Sequence, residues 1–225
     1  CVVAEVTKER RLVMVFRGET IVDLSRDFLD TNGVRGLQDV TICDGETASD
    51  PFKSHLSTDD LRTQLLDNLK QDNVASQIGL AEMFDATIGK STVLMPFGGK
   101  YQLTESEGSV QKLPVFGYTD TCSIMTHGYH PGISVYSPYL GASYSVVEAL
   151  ARLTAMGCDH TKARLTNQEY FERLGNHPEK WGKPMQALLG LIEAELAFET
   201  PAIGGKDSMS GTFNDISVPP TLITF

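Results

Sequence analysis

Ser143-Tyr144-Ser145-Val146-Val147-Glu148-Ala149-Leu150-Ala151-Arg152-Leu153-Thr154-Ala155-Met156-Gly157 decides how the chain folds. Val146, Val147, Leu150 and Leu153 recur at helical spacing, and Gly157 ends the run, so the pattern predicts an amphipathic helix over 143–156. Ala163-Arg164-Leu165-Thr166 then reads as a strand. A second helix follows, with Pro184 in its first turn, where a missing N–H costs nothing. It is expected to bury Leu188, Leu189, Ile192 and Leu196 and to stop before Pro201. Another strand begins at Val218 and runs towards Phe225. Strands alternating with paired helices predict an α/β (α+β) domain, a mixed sheet with helices layered on it.

Towards the N-terminus, Leu12–Phe16 and Thr20–Leu24 flank Arg17-Gly18-Glu19 as a β-hairpin. Ser25 caps a short helix, Arg26 to Thr31, stopped by Asn32-Gly33. Residues 34–56 are polar and turn-rich, a connector between two structural units. Leu61, Leu65, Leu66 and Leu69 predict a helix behind Ser57 or Thr58 as cap, and Asn73 caps another with Val74, Ile78 and Met83. Thr92–Phe97, ended by Gly98-Gly99, and Cys122–Thr126 read as strands.

At 225 residues, 41% hydrophobic and 21% charged, the composition is that of a globular protein with one or two cores. A net charge of −10 argues against nucleic acid, whose phosphates call for a basic surface. An acidic protein that binds phosphate must supply local cations, lysines or Mg²⁺. No run approaches the ~20 apolar residues of a membrane span, and Cys1-Val2-Val3-Ala4-Glu5 is no signal peptide. That opening reads as the middle of a strand, as in a piece of a longer chain. Cys1, Cys43, Cys122 and Cys158 lack close spacing and read as reduced, mostly buried thiols of a cytosolic protein.

The richest chemistry lies in Pro201-Ala202-Ile203-Gly204-Gly205-Lys206-Asp207-Ser208-Met209-Ser210-Gly211. Gly204 and Gly205 allow backbone N–H groups close to a ligand, and Lys206 can neutralise a phosphate. Asp207 can hold Mg²⁺, and Ser208 or Ser210 can donate to an oxyanion. A glycine turn between helix and strand explains the same spacing equally well. A Walker A loop is excluded, because Thr200 and Asp207 stand where it needs a glycine and a Ser or Thr. His127-Gly128-Tyr129-His130 is loop-like and lacks the carboxylates of a metal site. Glu148 is either solvated or reaches a metal across the sheet. Asn167 and Gln168 stand where α/β sheets bind ligands, at a strand's C-terminal end, or else cap a helix over 168–171.

Together these segments resemble phosphoribosylformylglycinamidine synthase of the large multidomain type. The matching stretches are 28–33, 89–102, Val147 to Arg152, Arg164 to Gly175, Trp181 to Pro184, Ile203 to Gly211 and Val218 to Leu222, in the expected order. The resemblance implies a fold like the N-terminal domain of aminoimidazole ribonucleotide synthetase. Residues 1–45 would be the tail of a preceding C-terminal α/β domain and 46–56 a connector. Residues 57–217 would be the second-half N-terminal domain, with 218–225 starting a further one. It also implies an ATP- and Mg²⁺-dependent ligase that converts formylglycinamide ribonucleotide to the amidine with glutamine-derived ammonia.

By this similarity Gly204, Gly205, Lys206, Asp207, Ser208 and Asn167 would line a nucleotide or phosphate site, and Glu148 would bind Mg²⁺. No catalytic residue is expected in this stretch, since the family's catalytic histidine lies in the first-half N-terminal domain. That domain and the glutaminase would be its partners in the cytoplasm, with the chain inactive alone. The alternative is a pairing module with only an auxiliary nucleotide site, whose apolar face would bind a second copy. One departure concerns the metal: some relatives place Asn one turn after the glutamate, and here that position is Arg152.

Overall fold

The computed structural model describes residues 1–31, 36–43, 50–53, 60–72, 74–83 and 91–225. They form two units, Cys1–Asp39 and Val40–Phe225. In the first, strands β1 (Arg11–Phe16) and β2 (Glu19–Ser25) pair antiparallel. Arg17 and Gly18, with φ of 51° and 85°, make the left-handed two-residue turn that matches the twist of a hairpin. Ser25 Oγ accepts the Phe28 N–H at 3.2 Å and so caps α1 (Arg26–Leu29). No described residue of this unit is buried. The Asn32-Gly33 stop lies outside the described residues.

The second unit opens with α2 (Leu61–Leu69) and α3 (Ile78–Met83). Asp60 caps α2 by accepting the Arg62 N–H at 3.1 Å; Ser57, Thr58 and Asn73 lie outside the described residues. Next come β3 (Thr92–Leu94), β4 (Phe97–Gly98), β5 (Thr104–Glu105), β6 (Ser109–Lys112) and β7 (Cys122–Met125). β3, β6 and β7 form one antiparallel sheet, and β4 pairs with β5. The run 92–97 thus divides between two sheets rather than forming one strand.

The C-terminal part of the unit holds the core. Its elements are α4 (Pro131–Tyr136), α5 (Pro138–Ala155), a 3-10 turn (His160–Lys162), β8 (Leu165–Tyr170), α6 (Pro178–Phe198), β9 (Ala202–Lys206), β10 (Thr212–Phe213), β11 (Ile216–Ser217) and β12 (Thr221–Thr224). β8 is the centre of a mixed sheet in the order β12-β8-β9, antiparallel to β12 and parallel to β9. α6 is the crossover a parallel pair requires. Ala142, Val146 and Leu150 of α5 meet Ala187, Leu191 and Ala194 of α6 over Leu165, Phe171 and Leu222.

Small residues bring the two helices together. The Ser143 hydroxyl donates to the carbonyls of Tyr139 and Gly190, each at 3.0 Å, and a Cβ on Gly190 would run into the Tyr139 carbonyl.

Several boundaries differ from the sequence reading. α5 starts at Pro138, with Ser137 Oγ accepting the Leu140 N–H, five residues before Ser143. α6 starts at Pro178, which takes the first-turn position assigned to Pro184; Pro184 lies inside the helix. β8 runs on through Asn167 and Gln168, because neighbours on both sides satisfy its backbone, so no helix starts there. The cysteines are free, but Cys1, Cys43 and Cys122 are exposed and Cys158 is half-buried, not mostly buried. Among the described residues no helix is long and apolar enough to cross a membrane.

Candidate functional site

Side chains of β8 alternate across the sheet: Leu165, Asn167 and Glu169 are buried on the helix side, while Gln168 and Tyr170 are exposed. A groove of about 330 Å³ opens beside them, lined by Asn167, Glu169, Leu188 and Leu191 and by the strand end from Gly204 to Asp207. Asn167 Nδ2 donates to Glu195 Oε1 of α6 at 3.0 Å. Asn167 Oδ1 and Glu169 Oε1 are both buried without a hydrogen-bond partner. Burial, and secondly the charge of Asp207, push the Glu169 carboxyl up to about 7. Burial also raises Glu195, against the opposing effect of the Asn167 bond.

The glycine-rich stretch is no turn at Gly204-Gly205: both lie in strand β9, at the edge of the sheet. Gly205 sits opposite Asn167, where a Cβ would strike the Asn167 carbonyl, so close strand approach requires glycine. At Gly204 a Cβ would meet nothing within 4 Å. Lys206 is in register with Gln168, and its side chain has no hydrogen bond or ion pair among the described residues. The Ser208 N–H is committed to the Glu169 carbonyl at 3.1 Å, while its hydroxyl sits 3.0 Å from that of Ser210. A cradle of successive amides is therefore not what this stretch offers. It offers instead a lysine, two hydroxyls and an open strand edge.

Glu148 is not among the residues lining this groove. Its Oε2 accepts the Tyr129 N–H at 2.9 Å, and its Oε1 accepts Arg152 Nη2 at 2.8 Å. Arg152 also lies 3.5 Å from Glu107 and 3.3 Å from His127 Nε2. With both oxygens engaged and a guanidinium against one of them, Glu148 does not fit a Mg²⁺ ligand. His127 is pushed below its usual range by burial and then by Arg152. His130 Nδ1 accepts the Ile133 N–H at 3.2 Å and caps α4, so the two imidazoles do separate work. A larger hollow of about 510 Å³ takes in His127, Gln111 and Phe97 but none of the loop residues.

The residues that sequence reading missed are Glu169 and Glu195. The period-2 signal that would have found Glu169 was present in Leu165, Asn167 and Glu169, provided the strand was carried past Thr166.

No family model matches the chain. Subunit PurL of phosphoribosylformylglycinamidine synthase from Methanocaldococcus jannaschii is 27% identical over 216 residues, covering 92% of this chain and 26% of the relative. The Deinococcus radiodurans PurL is 25% identical over 226 residues, covering 97% and 28%. Among solved structures, Thermotoga maritima PurLQS superposes with a TM-score of 0.66 at 15% identity, over 98% of this chain and 32% of that one. A T. maritima PurL complexed with ATP gives 0.63 at 16%, over 98% and 31%. The chain thus spans between a quarter and a third of the length of the proteins it matches. Over that span it is similar in sequence to PurL subunits of phosphoribosylformylglycinamidine synthase and shares the α/β fold of T. maritima PurL.

Proposed function

We propose that the chain works as part of an ATP-dependent carbon–nitrogen ligase that turns formylglycinamide ribonucleotide into the amidine, using glutamine-derived ammonia, in purine synthesis. The observation that carries this is agreement with PurL subunits over more than nine-tenths of the chain, in sequence and again in fold. Its partners are then the other domains of that synthase, a first-half N-terminal domain and a glutaminase, in the cytoplasm. The domain assignment is part of the same reading: 1–45 end one domain, 46–56 connect and 57–217 form the second-half N-terminal domain; 218–225, expected to begin the next, instead complete its sheet, since β12 pairs with β8 and Leu222 lies in its core.

Within it, Lys206 neutralises a nucleotide phosphate and the Ser208 and Ser210 hydroxyls donate to its oxygens. Gly204 leaves the strand edge clear for it, and Asn167 and Gly205 shape the wall beside it. Bound ATP would supply the phosphoryl group that activates the amide oxygen; this chain's residues bind and orient it. Titration with ATP and with ADP, followed by calorimetry, tests the site. Saturable binding that falls about ten-fold in Lys206→Ala is expected; binding indifferent to that change refutes the assignment. The chain alone, given ribonucleotide, ATP and ammonium, is expected to yield no amidine above a blank.

A second reading, a pairing module, has its own observation: Leu189, Ile192 and Leu196 on α6 are 46, 51 and 73% exposed. Self-association in sizing experiments without nucleotide binding would favour it.

A further inference from the structure

The hollow of about 510 Å³ that takes in His127 shares no lining residue with the β8–β9 groove. Ser109 and Gln111, two apart on β6, face it from the sheet, and Leu80 and Ala81 line it from α3. Much of its wall is apolar or aromatic, and Leu80 and Met125 there are still 57 and 54% exposed. Its polar groups are largely spent on one another. Gln111 Oε1 accepts the Ser91 and Thr92 hydroxyls at 3.2 and 3.3 Å, and Gln111 Nε2 donates to Ser109 Oγ at 3.1 Å. The Ser106 hydroxyl gives its proton to the Met95 carbonyl at 2.6 Å, which leaves a visitor only the lone pairs of its oxygen.

Charge gives the hollow a sign. Among the described residues no lysine or arginine lines it, whereas Glu105 does, with no hydrogen bond or ion pair of its own. Arg152, the cation beside His127, is already taken: it is 2.8 Å from Glu148 and 3.5 Å from Glu107. It also sits 3.3 Å from His127 Nε2; a guanidinium can only donate, so that nitrogen accepts and the imidazole is neutral. Three carboxylates, Glu105, Glu107 and Glu148, thus stand around His127 against one guanidinium. Such a wall repels phosphate and attracts cations.

We propose that this hollow binds a small organic cation, a primary ammonium group on a flat apolar body. The ammonium donates to the Glu105 carboxylate and to Ser106 Oγ, and the body covers Leu80, Met125 and the Phe97 ring. The volume falls within the range of about 300–1,000 Å³ usual for small-molecule sites, and an aromatic ring in the wall adds attraction for a cation. The site is opposite in sign to the Lys206 edge and needs nothing of the nucleotide reading, so the two fail separately.

The test uses three compounds with one indole body: tryptamine, tryptophol and indole-3-acetate, ending in a positive, a neutral and a negative group. Each is titrated into the 225-residue chain and followed by ligand-observed NMR. Tryptamine should saturate at roughly millimolar concentration or below, about five-fold tighter than tryptophol, with indole-3-acetate weakest. Glu105 is exposed, so Glu105→Gln keeps the fold; it should weaken tryptamine about five-fold and leave tryptophol unchanged. Glu193→Gln, the same loss of charge outside the hollow, should leave tryptamine unchanged, as should Lys206→Ala. No saturation by tryptamine, equal affinity for the three compounds, or tightest binding of indole-3-acetate overturns the proposal. So does tryptamine binding that Glu105→Gln does not weaken, or that Glu193→Gln weakens as much.

Discussion

The hairpin unit and the α5–β8–α6 layer are built by the same local rules and end in opposite states. β1 and β2 have strand-forming residues, a left-handed turn and a capped helix behind them, yet Val15 and Phe16 remain 63 and 59% exposed. In the layer, Val146 and Phe171 are at most 1% exposed. Among the described residues the two-stranded ribbon has backbone hydrogen bonds only between its strands and no third layer that takes its side chains. The layer has one, because α6 returns the chain to the sheet as a crossover and lays its Ala187, Leu191, Ala194 stripe on α5. Local pattern makes an element; burial needs a return path.

The contrast is sharpest in a pair of phenylalanines. Phe171→Ala removes a ring enclosed on all sides and should cost about 3–5 kcal/mol in urea unfolding. Phe16→Ala removes a ring already in water and should change stability by no more than about 0.5 kcal/mol. Equal costs would break the comparison. Gly190→Val belongs with the first, since its side chain would have to occupy the space of the Tyr139 carbonyl.

Charge gives the next effect. The Glu169 carboxyl titrates at about 7 in the fold against an ordinary 4.5. Below pH 4.5 both folded and unfolded states carry the proton, and Glu169 costs nothing. As pH rises through 7 the fold must ionise a buried carboxyl beside Asp207, and stability is lost, by roughly 2–3 kcal/mol between pH 5 and pH 8. Asp207 lines the same groove and Glu195 is bonded to Asn167 beside it, so the difference between wild type and Glu169→Gln isolates this group. The wild type should weaken over that window more than Glu169→Gln does; parallel curves would mean that Glu169 is not the group that titrates. The hairpin, without a buried ionisable group, offers no counterpart.

The sequence shows where these differences could be foreseen. The α5 stripe was legible in Val146 and Leu150, but the α6 stripe was not. Leu188, Leu189, Ile192 and Leu196 are all at least 40% exposed, and the helix buries Ala187, Gly190, Leu191 and Ala194 instead, the small residues that its close approach to α5 admits. The helix starts were not legible: Ser137 caps α5 ahead of Pro138, and Pro178 opens α6 without a side-chain cap from His177, while Pro184 offered an equally suitable first-turn proline six residues later. Thr166-Asn167-Gln168-Glu169-Tyr170 looks like a capping segment, and flanking strands on both sides override that preference. Of the site, the lysine and hydroxyls were legible as types. The groove was not, because Asn167 meets Glu195, and Glu169 meets Asp207, only after α6 has brought the chain back to β9. The Glu148–Arg152 ion pair was legible as i,i+4 neighbours of opposite charge, which is why the metal assignment was already strained there.

The smallest effect tests the comparison at its root. Ser25 and Ser137 do identical chemistry: each hydroxyl accepts an N–H three residues on, from Phe28 at 3.2 Å and from Leu140 at 3.3 Å. Replacing either by alanine removes one accepted bond worth about 1 kcal/mol. The difference lies in the structure each bond is attached to. α1 has four residues and buries none, so Ser25→Ala should appear as faster amide exchange at Phe28. α5 has 18 residues and seven buried ones, so the Ser137→Ala penalty is shared with the core and should lower the unfolding midpoint of the layer. If Ser137→Ala changed only local exchange at Leu140, the helix would be fraying independently of its packing. Burial would then not be what separates the two regions.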